Sequence, residues 1–352
     1  MITGFADLKG TNGYFASKDI VEGWIVSKNR YNYSKLGLGT FIGNFSDEDS
    51  HLFREAISYA LLNGINFIDT AINYRGMRSE RDIGIVITKL IEAGLIKRNQ
   101  FLISSKAGII PGDGEIMLRP IYYMQQKLID TGILSVEDTY MEDTLWLTMN
   151  PKFYTYSLEV SRKHLNLDTI DIYYIHELEL SMRHYGPSEF YSRFEGIIRA
   201  YENMVDEGKI REYGMATWEA FQLDPSNNKY ISLEKVMEIV RSVSENHHFK
   251  HLMIPINLQM NEPVAQKTQS YKDERLTIVE CAKRFGIEIH SSGSIGQGEA
   301  LDRYSIKDYM TFLVNNSNCD SYFIGSKRLD HIKENVQIIE NLLGKLAIGK
   351  LC

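Results

Sequence analysis

Asp69, Tyr74, Lys106 and His176 are the residues of this chain whose types and positions could do chemistry. INFID ends on Asp69, FLISSK ends on Lys106 and IDIYYIH ends on His176, while Tyr74 follows in the stretch GINFIDTAINY. Taken singly, each has an ordinary explanation. Asp69 could cap a turn, Lys106 could be a surface lysine, and His176 could be a hydrogen-bonded core histidine. Taken together they make an acid–base device. A tyrosine hydroxyl has a reference pKa of about 10 and is a poor proton donor or base near neutrality. A neighbouring ammonium is expected to lower that value. A buried ammonium needs a partner of its own, and Asp69 could be the partner of Lys106. His176 could hold a carbonyl oxygen near the Tyr74 hydroxyl. Such a set suits a group that interconverts between carbonyl and alcohol. It contains no nucleophile–base pair for acyl transfer and no convincing metal-ligand pattern. Carbonyl–alcohol chemistry without a metal needs a hydride carrier, which points to a nicotinamide cofactor.

These residues need elements to bring them together. Short apolar strands read at 35–41, 65–69, 101–106, 170–176, 210–216, 252–257, 287–291 and 322–326. Amphipathic helical patterns read at 47–63, 79–95, 154–166, 188–207, 232–245, 272–285, 304–315 and 329–343. Runs such as IDIYYI are apolar throughout, as in a parallel strand covered on both faces. Strict alternation of eight strands and eight helices predicts an α/β fold, a (β/α)8 barrel (TIM barrel). The competitor, an open doubly wound sheet, lacks the glycine-rich fingerprint expected after its first strand. In a barrel the polar strand ends gather on the C-terminal face.

One domain is expected over residues 1–352, with 1–34 as an N-terminal cap and 107–153 as an insertion on the catalytic face. The insertion contains PGDG (111–114) and a helical patch, YYMQQKLI (122–129). Its position suggests a substrate lid, with Tyr122, Tyr123 or Trp146 lining the pocket. A packing scaffold or an oligomer contact is the alternative.

With 43% hydrophobic and 24% charged residues, the chain can bury a sizeable core. A net charge of −7 argues against nucleic acid or an anionic membrane as partner. Cys281, Cys319 and Cys352 show no metal-ligand spacing and fit a reducing compartment. No signal peptide or membrane span is read, so a soluble cytoplasmic protein is expected. The histidines of NHHFKH (246–251) are expected in a solvated loop away from the catalytic face.

The sequence resembles the aldo-keto reductases. The matching stretches are LGLGTF (36–41), GINFIDTAINY (64–74), SSKAG (104–108), LDTIDIYYIH (167–176), EGKIREYGMA (207–216), GQG (296–298) and FIGSKRLDHIKENV (323–336). The resemblance implies the same barrel, NAD(P)H bound in an extended form, and a tetrad of Asp69, Tyr74, Lys106 and His176. It makes Tyr74 the general acid, tuned by Lys106, with Asp69 holding Lys106 and His176 orienting the carbonyl.

The resemblance also implies a cofactor site. Gly325, Ser326, Lys327 and Arg328 lie at a strand-to-helix turn, where helix N–H groups and two cations suit an anion. The adenosine 2′-phosphate belongs there, with His331 nearby and Glu334 and Asn335 at the adenine. The basic pair favours NADPH, with NADH the weaker choice. Thr217, Asn257, Ser292, Gly293, Ile295 and Gln297 complete the expected cofactor contacts. Three positions depart from the family around the nicotinamide. Ala216-Thr217 replaces Ser-Asn, Asn257 replaces a longer amide, and Ser292 replaces a stacking aromatic. The expected partner is a small carbonyl or sugar-like substrate. Two alternatives stand beside reduction: an alcohol or sugar dehydrogenase running oxidatively, and a nucleotide-binding regulatory subunit of a membrane complex.

Overall fold

The computed structural model describes residues 1–316 and 318–349; Cys352 lies outside the described residues. Eight strands form one closed, all-parallel barrel in chain order. They are β1 (Leu36–Gly39), β2 (Phe67–Asp69), β3 (Leu102–Ala107), β4 (Ile170–His176), β5 (Ile210–Ala216), β6 (Phe249–Pro255), β7 (Glu288–Ser292) and β8 (Ser321–Gly325). All seven residues of β4 are buried. Helices cover the strands outside, and the barrel interior is filled by side chains including Tyr33, Phe67, Tyr174, Met253 and Phe323. Among the described residues, no helix is long and apolar enough to cross a membrane.

The outer helices are α1 (Asp47–Leu62), α2 (Arg78–Glu92), α3 (Pro151–Leu165), α4 (Leu178–Asp206), α5 (Leu233–Val243), α6 (Ile278–Phe285), α7 (Ile306–Asn316) and α8 (Leu329–Gly349). Two differ from the sequence reading most at their starts. The pattern at 272–285 overran the start of α6. Thr277 and Glu280 form a capping box that opens the helix there, and the preceding residues pair as a hairpin, Gln269–Tyr271 with Glu274–Leu276. Helix α4 starts ten residues before the predicted 188, because Leu178, Leu180 and Met182 already pack inward. Gly186, at φ 70° and ψ 168°, and Pro187 then break it into two segments.

The N-terminal residues include a helix, Leu8–Ala16, and a hairpin, Ile25–Ser27 with Asn32–Ser34. Hairpin tyrosines meet carboxylates at the N-terminal ends of the strands. Tyr33 donates to Glu288 at 2.6 Å, and Tyr31 donates to Glu212. His251 belongs to this buried network, which corrects its assignment to a solvated loop. Strand β6 begins at Phe249, and His251 is fully buried. Its ring nitrogens lie 3.1 Å from Glu212 and 3.1 Å from His290, whose other nitrogen is 2.7 Å from Ser321 Oγ. The polar partners supplied by the neighbouring strands make that burial tolerable.

Burial alone would push the Glu212 carboxyl up, but His251, Arg30 and the Tyr31 hydroxyl outweigh it and hold the group down at about 2. The folded value lies below the unfolded one, so its contribution is complete above about pH 4.5 and is lost as pH falls towards 2. That contribution is on the order of 3 kcal/mol. In urea unfolding from pH 6 to pH 2, Glu212→Gln is expected to show a shallower acid loss than the parent protein. Identical acid limbs would refute this.

Candidate active site

Register places the chemical residues side by side. Asp69 pairs with Ser104 across β2 and β3, Lys106 with Tyr174 across β3 and β4, and His176 with Ala216 across β4 and β5. All lie at the C-terminal strand ends. Just past β3, a β-carbon at Gly108 would stand 2.1 Å from the His176 carbonyl oxygen, so only glycine allows the two strand ends to approach this closely.

Lys106 Nζ donates to Asp69 Oδ2 at 2.6 Å, to the Thr70 carbonyl at 2.8 Å and to the Tyr74 hydroxyl oxygen at 3.2 Å. Ser104 donates to the other Asp69 oxygen at 2.7 Å. Lys106 is 1% exposed and Asp69 5% exposed, so the pair sits in a low-dielectric environment. Burial pushes the ammonium down and the carboxyl up, and each opposes the shift of the other. The Tyr74 phenol is raised well above its ordinary value, by burial first and then by the charges of Asp69 and Glu177. Lys106 was expected to lower it; burial moves the phenol in the opposite direction. The His176 imidazole is held well below its usual range by burial and by Lys106, so it is neutral. Its ring centroid lies 6.1 Å from that of Tyr74, and its buried Nδ1 has no hydrogen-bond partner among the described residues.

Arg75 carries a positioning role that sequence reasoning missed. It follows Tyr74 at a φ of 48°. Its buried guanidinium donates to Asp82 at 2.7 Å, to Ser50 at 2.9 Å and to the Asn44 carbonyl at 2.9 Å. One side chain thereby ties the tyrosine loop to α1, to α2 and to the loop after β1. Only the arginine's place directly after Tyr74 hinted at this.

A cavity of about 420 Å³ opens over Tyr74, Lys106 and His176. A neighbouring groove of about 170 Å³ runs past Gly39, Gly293, Ile295 and Gly325. The two share Phe41, Tyr74, Trp218, Met253, Ser292 and Gln297. Thr217 lines the larger cavity, and its buried hydroxyl has no partner among the described residues. Asn257 lines neither. It is fully buried, donates to the Gly293 carbonyl at 2.9 Å, and accepts from Gln259 and Met260. It therefore shapes the loop after β7 from behind. Ser291 and Ser294 are bonded to each other within that loop.

At the far end, Lys327 donates to Asp49 at 2.6 Å, while Arg328, His331 and Glu334 are exposed. Asn335 is buried beside Ser326, and its Oδ1 has no partner among the described residues.

The insertion contributes Ile109, Asp143 and Leu145 to the catalytic cavity. None of the three aromatics expected to line that cavity does so. Tyr122 is exposed, Tyr123 is buried against Tyr156 at 3.1 Å, and Trp146 lines a separate apolar cavity of about 310 Å³. The hairpin Thr139–Glu142 with Leu145–Thr148 presents Leu145 to the catalytic cavity instead.

The model of the aldo/keto reductase family matches residues 35–350. The chain belongs to that family. An aldo/keto reductase from Klebsiella pneumoniae, solved with NADP and acetate, superposes with a TM-score of 0.57 at 14% identity, covering 88% of this chain and 87% of that one. The holo form of an aldo-keto reductase from Bacillus halodurans gives 0.58 at 14% identity, covering 93% and 96%. These likenesses show the fold. In sequence, the chain is 26% identical over 219 residues to an NADH-specific methylglyoxal reductase of Escherichia coli (strain K12). That match spans 58% of this chain and 57% of the relative. Small residues, Gly39, Gly293, Ser294 and Gly325, line the groove of this aldo/keto reductase, while the buried polar atoms of Thr217 and Asn335, which have no partner among the described residues, lie in the catalytic cavity and beside Ser326.

Proposed function

We propose that this aldo/keto reductase reduces an aldehyde or ketone to an alcohol, with Tyr74 as proton donor. The observation that carries this reading is the chain of contacts from Asp69 through Lys106 to the Tyr74 hydroxyl at the floor of an open cavity. A nicotinamide cofactor, when bound, supplies the hydride. The protein's own part is positioning and proton delivery. His176, neutral and facing the same cavity, offers a hydrogen bond to the carbonyl oxygen. The raised Tyr74 pKa keeps the phenol protonated in the resting protein. An alkoxide is far more basic than a phenolate, so the proton moves readily once charge develops on the substrate oxygen. Lys106 lies where it stabilises the phenolate left behind.

Thr217, Ser292, Gln297, Gly293, Ile295 and Gly325 would hold the dinucleotide along the groove, and Ser326, Lys327, Arg328 and Asn335 its adenosine end. NADPH is the proposed form. Arg328 supports it, being exposed and without an ion pair among the described residues. Lys327 would join it on exchanging Asp49 for a phosphate. Fluorescence titration with NADPH and NADH is the direct check, followed by oxidation of the bound reduced nucleotide by simple aldehydes. Arg328→Ala is expected to weaken NADPH about tenfold, the scale of a charge-assisted hydrogen bond, and to leave NADH unchanged. Equal losses for both nucleotides would place Arg328 away from the 2′-phosphate. Absence of aldehyde-dependent oxidation would end the reductase reading.

A further inference from the structure

The wall of the catalytic cavity beside His176 is acidic, and proton delivery does not use it. Asp143, Glu177, Glu179 and Glu219 all line it. Two of them are neutralised within the protein. Lys229 holds Glu219 at 2.5 Å, and Arg183 holds Asp143 at 2.8 Å. Glu177 and Glu179 differ. Glu177 follows His176 directly in a left-handed conformation, φ 56° and ψ 42°. That conformation costs a residue other than glycine about 1 kcal/mol or more and tends to occur where function requires it. The Glu177 carboxylate reaches to 3.8 Å from His176 Nε2, and it accepts no hydrogen bond among the described residues. Glu179 is 1% exposed. Its Oε1 accepts the backbone N–H groups of Trp218 at 2.5 Å and Glu219 at 3.0 Å, but its buried Oε2 has no partner among the described residues. An acceptor out of water with no donor is costly, and the residue that carries it lines the catalytic cavity.

We propose that Glu177 and Glu179 form a subsite for a hydrogen-bond donor on the carbon next to the reacting carbonyl. The preferred substrates are then uncharged α-hydroxy aldehydes or ketones, and anionic carbonyl compounds are rejected. The inference rests on the reductase reading, in which His176 marks the position of the carbonyl oxygen. A group one bond away from the carbonyl carbon falls between His176 and Glu177. A hydroxyl there donates to a carboxylate. A second carbonyl offers only another acceptor, and a carboxylate or phosphate adds like charge. Burial, with Glu179 and Glu219, raises the Glu177 carboxyl against the opposing charges of Lys106 and Lys229, so the preference for a donor belongs to the ionised form, which a donating substrate itself favours, and is expected to grow as pH rises.

Three three-carbon aldehydes differ only at C2, propanal, lactaldehyde and methylglyoxal, and comparing their ratios between parent and variant cancels their differences in intrinsic reactivity and hydration. Glyoxylate adds an anion. With the reduced nucleotide saturating, kcat/KM for lactaldehyde is expected to exceed that for propanal by about 10- to 100-fold, the range for a hydrogen bond to a charged group. Methylglyoxal and glyoxylate are expected to fall below lactaldehyde. Glu177→Gln is expected to bring the lactaldehyde-to-propanal ratio within about threefold of unity, since an amide loses the charge that makes the bond strong. Glu179→Gln is a second variant with the same expected direction. Lactaldehyde-to-propanal and lactaldehyde-to-methylglyoxal ratios unmoved in both variants would overturn the subsite and leave the reductase reading in place. No turnover of any aldehyde would remove both together.

Discussion

Tyr74→Phe is expected to lower kcat for carbonyl reduction by about 10²- to 10⁴-fold, the usual contribution of a positioned general acid. The substitution removes one oxygen and keeps the ring. That ring packs edge-on against Phe41 at 5.0 Å between centroids and lies 4.7 Å below the Lys106 ammonium. Lys106 retains Asp69 and the Thr70 carbonyl as partners, so no buried charge is stranded. Nucleotide affinity and thermal midpoint should therefore match the parent, and the loss should fall on kcat rather than on binding. The measurement is steady-state turnover on a simple aldehyde beside a nucleotide titration of the same preparations. Retention of activity within about threefold would assign the proton to another donor or to water.

The second large effect concerns Asp69 and Lys106. Removing one member of a buried ion pair costs about 3–5 kcal/mol, because the other charge stays out of water without its partner. Asp69→Asn is therefore expected to lower the urea midpoint strongly and to reduce turnover, since a destabilised ammonium no longer supports the Tyr74 phenolate. Replacing both partners removes the stranded charge. The double variant Asp69→Asn with Lys106→Met should recover most of the stability while turnover stays at the level of the single variant or below. A double variant as unstable as the single would show that Asp69 acts through Ser104 or the loop rather than through charge. Activity recovered in the double variant would remove Lys106 from the mechanism.

Much of this was readable in advance because barrel strands signal themselves. IDIYYIH is apolar along its length until the histidine, and a strand covered on both faces can carry a polar side chain only where it emerges. The same rule picked out Asp69 and Lys106. It failed for His251, which lies inside a strand whose polar start reads as loop. Partners contributed by β5 and β7 make its burial possible, and no local pattern records them. Helix boundaries failed where a cap overrode periodicity, as at Thr277. The insertion's aromatics were sound signs of order but poor guides to the pocket. Tyr123 found a partner in Tyr156, and the hairpin turned Leu145 rather than Trp146 towards the catalytic cavity.

The sequence by itself determined the alternation of strands and helices, the polar residues at the strand ends and hence the kind of chemistry. These follow from local periodicity and from residue type. Only the tertiary structure decided how those residues are tuned. Burial, not the nearby ammonium, sets the direction of the Tyr74 shift; Asn257 turns away from the groove; Lys327 is clasped by Asp49; and Glu179 has one oxygen unpaired among the described residues. Solvent exclusion and hydrogen-bond partners are properties of the space between distant segments. They come into being when strands from opposite ends of the chain close one barrel.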